Sequence, residues 1–171
     1  MIPDFNTYIK ESIWSDIQDR STGEIVRKED DINNMDMSEF YNYLYLNYWP
    51  TEWNNGETVD QFPGSASDNL WKIQVPVEEI IKFSGSGTVI PPITICFNIN
   101  TEKVTHIVIA SSLPRKYPNI QTILGNNYKL EPQKVGSPHI TKNGKLTNRD
   151  CVNIIDKILG MVDKPLFRKK S

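Results

Sequence analysis

The chain has 171 residues, 38% of them hydrophobic and 23% charged, with a formal net charge of −2. That is enough chain to close one compact domain with an added arm, without help from disulfides or metals. The slight acidity excludes a general nucleic-acid coat, which needs a basic surface, so no direct sequence-specific nucleic-acid binding is expected.

Read from the N-terminus, MIPDFNTYIKESIW carries acidic residues early and has no long apolar core, and reads as neither a secretion signal nor a membrane span. Phe5, Tyr8, Ile9, Ile13, Trp14 and Ile17 recur at helical spacing, and Gly23 stands where a helix would stop. EIVRKEDDINN follows as a charged connector, pinned by Ile25, Val26 and Ile32. Asp36 and Glu39, three residues apart, predict a capping box that opens a second helix. Phe40, Tyr43, Leu44 and Tyr48 line one face of it, and Pro50 ends it.

Residues 51–69 shift to Asn, Gly, Ser, Asp and Pro and read as loop or linker. The expected organisation is therefore a helical arm or docking segment over 1–50, a linker over 51–69, and an α+β body over 70–171. In the body, LWKIQV reads as a strand, and EEIIKF as a short strand or helical turn. VIPPITICFNIN and VTHIVIASS read as a hairpin. Ile93, Ile95, Phe97 and Ile99 share one face of its first strand, and the second strand is apolar on both faces, which predicts a central place in the sheet.

LPRKYPNIQTILGNN has room for a helical turn or two, limited by Pro118. YKLEPQKV and HITKNGKLT read as edge strands, the second with an Asn143-Gly144 turn of hairpin type. Thr147 and Asp150 then open the clearest helix, with Cys151, Ile154, Ile155, Ile158, Leu159 and Val162 as its apolar stripe. The fold class expected is α+β: an N-terminal helical arm followed by a small, mostly antiparallel β-sheet domain, closed by this amphipathic helix.

Chemistry is sparse along the chain. Cys96 and Cys151 lie far apart in no metal-binding or redox spacing, which fits a reducing compartment. His106 aligns with Val104 and Val108 on an apolar strand and reads as a hydrogen-bonded core histidine, and His139 is the chain's other histidine, too few for a histidine-rich metal site. Glu29, Asp30 and Asp31 lack the spaced ligands and glycine of a calcium loop. GSGT at 85–88 lacks the lysine and spacing of a phosphate loop, and Arg168, Lys169 and Lys170 read as a solubilising basic end. No catalytic residue, cofactor or metal is expected.

Two resemblances bear on function. SPHITKNGKLTNRDC, residues 137–151, resembles in outline the active-site region of ubiquitin-conjugating enzymes, where a histidine precedes a turn and then a nucleophilic cysteine. It departs from that family in lacking the His-Pro-Asn tripeptide, since Pro138 precedes His139 and Ile140 follows it. The resemblance implies at most a non-catalytic protein-binding module with a ubiquitin-conjugating-like fold, because Cys151 falls on the apolar stripe of its helix.

The second lies in IWSDIQDRSTGEIVRKEDD, with the following MDMSEFYNYLYLNY. Ile13-Trp14, Asp16-Ile17, Arg20-Ser21, Gly23 and the run Arg27-Lys28-Glu29-Asp30 resemble a segment near the N-termini of several proteins of tailed phages of Bacteroidetes, the crAss-like phages among them. The resemblance implies a structural, non-enzymatic virion component: a head–tail connector, collar or tail-region protein, assembled in the host cytoplasm. Its partners would be other virion proteins in a symmetric ring or collar, with no membrane involved.

A helix with Trp14 on its apolar stripe, followed by dense charge, can dock on a neighbour through Arg20, Arg27 and Lys28, or can pack against the protein's own sheet with its charges facing water. The candidate partner-binding residues are Ile13, Trp14, Ile17, Arg20, Arg27 and Lys28. Trp49, Trp53 and Phe62 join them, aromatics surplus to a small core and expected at subunit contacts.

Overall fold

A computed structural model of the chain describes residues 29–50, 64–67, 69–81 and 87–169. The expected helix through Phe5 to Ile17 and its stop at Gly23 lie outside the described residues. The fold is α+β, and every described strand pairing is antiparallel.

A 3-10 turn at Glu29–Asn34 leads into helix α1, Met37–Asn47. The capping box forms as the sequence requires: Glu39 N donates to Asp36 Oδ1 at 2.9 Å, and Asp36 N donates to Glu39 Oε1 at 3.4 Å. Strand β1 (Tyr48–Pro50) follows directly, and then β2 (Gly64–Ser67) and β3 (Leu70–Pro76). A small hairpin, β4 (Ile80–Ile81) with β5 (Thr88–Val89), interrupts the path to β6 (Pro92–Asn98) and β7 (Val104–Ile109).

Two short helices come next, α2 (Ser112–Lys116) and α3 (Ile120–Leu124), split at Pro118, which cannot donate to a continuous helical ladder. Gly125 closes α3 at φ +84°, where a side chain would be strained. Strands β8 (Lys129–Glu131) and β9 (His139–Thr141) precede helix α4 (Asn148–Met161) and a last strand β10 (Phe167–Lys169).

Six strands form the main sheet in the order β2-β3-β6-β7-β9-β8, while β1 and β10 make a separate two-stranded ribbon. Trp71↔Phe97, Ile73↔Ile95↔Ile107 and Val75↔Ile93↔Ile109 stand opposite one another on one face, and Ile140 continues the Ile107 row on β9. All are buried. The helices supply Phe40 and Leu44 from α1, Ile120 and Leu124 from α3, and Cys151, Ile154, Ile155 and Ile158 from α4 to this one core. Phe40 meets Phe97 edge to face, ring centroids 6.0 Å apart.

Several sequence expectations are corrected by this packing. The helix α1 does not stand apart in an arm: Ile32, Phe40, Leu44 and Tyr48 are buried with the sheet. The physical reason is polar as well as apolar. Buried Asn148, at the start of α4, donates to the carbonyls of Ile32 (2.9 Å) and Met35 (3.1 Å), and Tyr48 Oη donates to Asp156 Oδ1 at 2.6 Å.

Within 51–69, composed like a linker, Gly64–Ser67 pair with β3 as an edge strand. The basic end at Arg168 and Lys169 is β10, held against β1. Strand β9, expected at an edge, lies between β7 and β8. The turn at Asn143-Gly144, with Gly144 at φ +87°, delivers the chain to the N-cap of α4 rather than to another strand.

Candidate functional site

None of the nine candidate partner-binding residues has a described side chain. Ile13, Trp14, Ile17, Arg20, Arg27, Lys28, Trp53 and Phe62 lie outside the described residues, and only the backbone of Trp49 is placed, opposite Arg168 in the β1–β10 ribbon. Three polar constellations within the domain bring together groups that the sequence does not place side by side.

The first surrounds Asp150, in the first turn of α4. Its Oδ1 accepts from Tyr128 Oη (2.8 Å), its Oδ2 from Thr147 N (2.8 Å) and Thr147 Oγ1 (2.9 Å), and Lys142 Nζ lies 3.1 Å from both oxygens. Burial alone would raise this carboxyl, but these donors outweigh it and hold it below the ordinary aspartate range. The Thr147–Asp150 pairing was legible as a capping box, whereas the Tyr128 and Lys142 partners were not.

The second is a knot at Glu78, which is only 1% exposed although it sits in a connection between strands. Its carboxylate accepts from Lys116 Nζ (2.8 Å), from the Tyr117 hydroxyl and from Lys164 N (3.3 Å). Burial pushes the group up, and the three donors together hold it below its ordinary value. The same pair with Glu78 raises the Lys116 ammonium. The knot ties the β3–β4 connection to α2 and to the segment after α4, where Leu166 N also donates to Val77 O at 2.7 Å.

The third lies on the face of the sheet away from the core. His106 and His139 meet there, rings stacked at 4.6 Å and 22°. The reading of His106 as a core residue is corrected, since it is half-buried. A β-bulge explains the change: Phe97 pairs with Val104 but Cys96 pairs with His106, so Thr105 is an extra residue and Val104 and His106 take opposite faces. Thr105 Oγ1 fills the bulge, donating to Cys96 O at 3.1 Å and lying 3.0 Å from His106 Nδ1.

Among the described residues, no group of three or more His, Cys, Asp or Glu side chains is arranged to hold a metal ion. Cys151 is fully buried, and burial, together with the neighbouring Asp150, pushes its thiol far above the usual range, where a nucleophilic thiolate is unavailable. Cys96 is also buried, with its thiol raised for the same first reason. Among the described residues no helix is long and apolar enough to cross a membrane. Compared with known proteins, the chain matches no family model, and no curated protein or solved structure is significantly similar to it.

Proposed function

We propose that this chain is a non-enzymatic structural component of a tailed-phage virion, a head–tail connector, collar or tail-region protein that works by protein–protein contact. The observation that carries the reading is the segment from Ile13 to Asp30, with its resemblance to N-terminal segments of proteins of Bacteroidetes phages. Glu78, Asp150, Lys116 and Lys142 are engaged with one another or with backbone, and Cys151 is sealed in the core. In this reading, residues up to 28 dock on neighbouring virion proteins, and the α+β domain is the rigid part they position.

The test is Trp14→Ala in the full-length chain, with incorporation into phage particles followed by mass spectrometry and stability by thermal melting. The expected result is a near-wild-type melt with loss from particles. Normal incorporation would refute the docking role, and so would a large loss of stability, which would make Trp14 part of the domain's own core. A truncation must stop at residue 28, because removing 1–48 would strip Phe40, Leu44 and Tyr48 from the core.

A second reading, the non-catalytic protein-binding module with a ubiquitin-conjugating-like fold, draws on two observations. Strands β2, β3, β6 and β7 follow α1 as an antiparallel series in sheet order, and the 137–151 stretch ends on a cysteine with no exposed surface. Titration of the labelled chain with a ubiquitin-like protein, read by NMR, separates this reading from the first: shifts confined to one surface would favour it, and none would eliminate it.

A further inference from the structure

We propose that the stacked pair His106–His139 is a proton-sensitive catch on the seam between β7 and β9, and that protonation below neutral pH loosens the β8–β9 end of the sheet. The chain has only two histidines, 33 positions apart in sequence, and the fold stacks one on the other. They stand on the two strands whose pairing joins β8–β9 to the rest of the sheet. That seam is short: Ile107↔Ile140 and Val108↔His139 in register, with Ile109 N donating to Pro138 O at 3.0 Å just beyond them.

The hydrogen bonds assign the state of one ring. The single hydroxyl proton of Thr105 is committed to Cys96 O, so its oxygen can only accept from His106, which places a proton on Nδ1. In the neutral ring Nε2 then carries the free lone pair, and the next proton makes His106 a cation against the face of His139. Around the pair, Lys72 on β3 and Cys96 on β6 share the row of His106, while Thr141 on β9 and Lys129 on β8 continue it. Val108 on β7 and Glu131 on β8 flank His139, with Gln74 and Thr94 farther along that row. Glu131 is the single carboxylate in these two rows, opposed by Lys72 and Lys129.

Burial first, then His139 and Lys72, hold the His106 imidazole below its ordinary value. The sign follows directly: the unfolded or opened strand takes up the proton more readily than the closed one. The seam is therefore fully held above the ordinary histidine value and weakens as pH falls through it. The cation formed on His106 lies against His139 and shares its row with Lys72, so the closed seam disfavours a proton that the opened strand accepts.

The experiment uses the full chain, with ring-proton NMR titration of the two imidazoles and hydrogen exchange of the Ile109 amide between pH 7.5 and 5. Wild type, H139Q and H106Q are compared. In wild type, the His106 signal should titrate below its ordinary value and move upward in H139Q. After correction for intrinsic exchange, Ile109 protection should fall on acidification in wild type, fall less in H139Q and stay level in H106Q. An unmoved His106 titration in H139Q, or the same loss of protection in either variant, overturns the proposal. So does constant protection in wild type.

Discussion

Replacing Asp150 with asparagine keeps the shape of the side chain and removes its charge. The loss can be worked from its partners. The N-cap arrangement with Thr147 is worth about 1 kcal/mol. The hydroxyl of buried Tyr128, donating to a carboxylate at 2.8 Å, adds about 1.5 to 3 kcal/mol. Lys142 is a third exposed (34%), so its share is discounted to about 0 to 1 kcal/mol. An asparagine retains one acceptor oxygen but turns its amide toward at least one of these donors, so Asp150→Asn should destabilise the fold by about 3 kcal/mol.

Urea unfolding at pH 7 measures this directly. With a slope of about 2 kcal/mol/M, the midpoint should drop by about 1.5 M at unchanged slope. The pH dependence gives a second reading. The folded-state pKa of Asp150 is lowered, so its contribution is fully present above the ordinary aspartate value of about 4 and is lost as pH falls through the folded value. The gap between wild type and Asp150→Asn should therefore close on acidification below about pH 4. A loss under about 0.5 kcal/mol, the usual range for featureless surface sites, would refute the reasoning, as would a gap that does not change with acid.

Phe40→Ala should cost about 3 to 5 kcal/mol if α1 belongs to the core, where a peripheral arm would lose almost nothing; thermal or urea melts decide. Asn148→Ala should cost about 2 kcal/mol, because it removes the side-chain donor to the Met35 carbonyl and one of the two donors to the Ile32 carbonyl, which keeps Met35 N. Asn42, equally buried but with an Oδ1 that has no hydrogen-bond partner, should tolerate alanine at less than about 1 kcal/mol, so the two asparagines are ranked by a single set of melts. Cys151 should resist a thiol reagent in the native state and react only on unfolding; rapid native labelling would overturn the assignment of the α4 stripe.

What the sequence determined by itself is what depends on near neighbours. Asp36 with Glu39 and Thr147 with Asp150 announce helix starts because capping joins residues three apart. The stripe from Cys151 to Val162 and the β6–β7 hairpin were legible because helical and strand periods order the side chains before any packing is known. Pro118 marks its break between two helical turns for the same local reason.

Tertiary structure decided the rest, since it turns on contacts between residues far apart. Nothing local distinguishes Glu78 from its neighbour Glu79, yet Lys116, Tyr117 and Lys164 N converge on one of them and bury it. A helix with an apolar face can pack on its own sheet or on a partner, and the bonds from Asn148 and Tyr48 settle that α1 packs on its own. His106 faces away from the core because one extra residue at the bulge reverses the alternation that a period of two predicts. Its meeting with His139 follows only from β9 pairing beside β7, a strand order that the spacing of apolar residues does not encode.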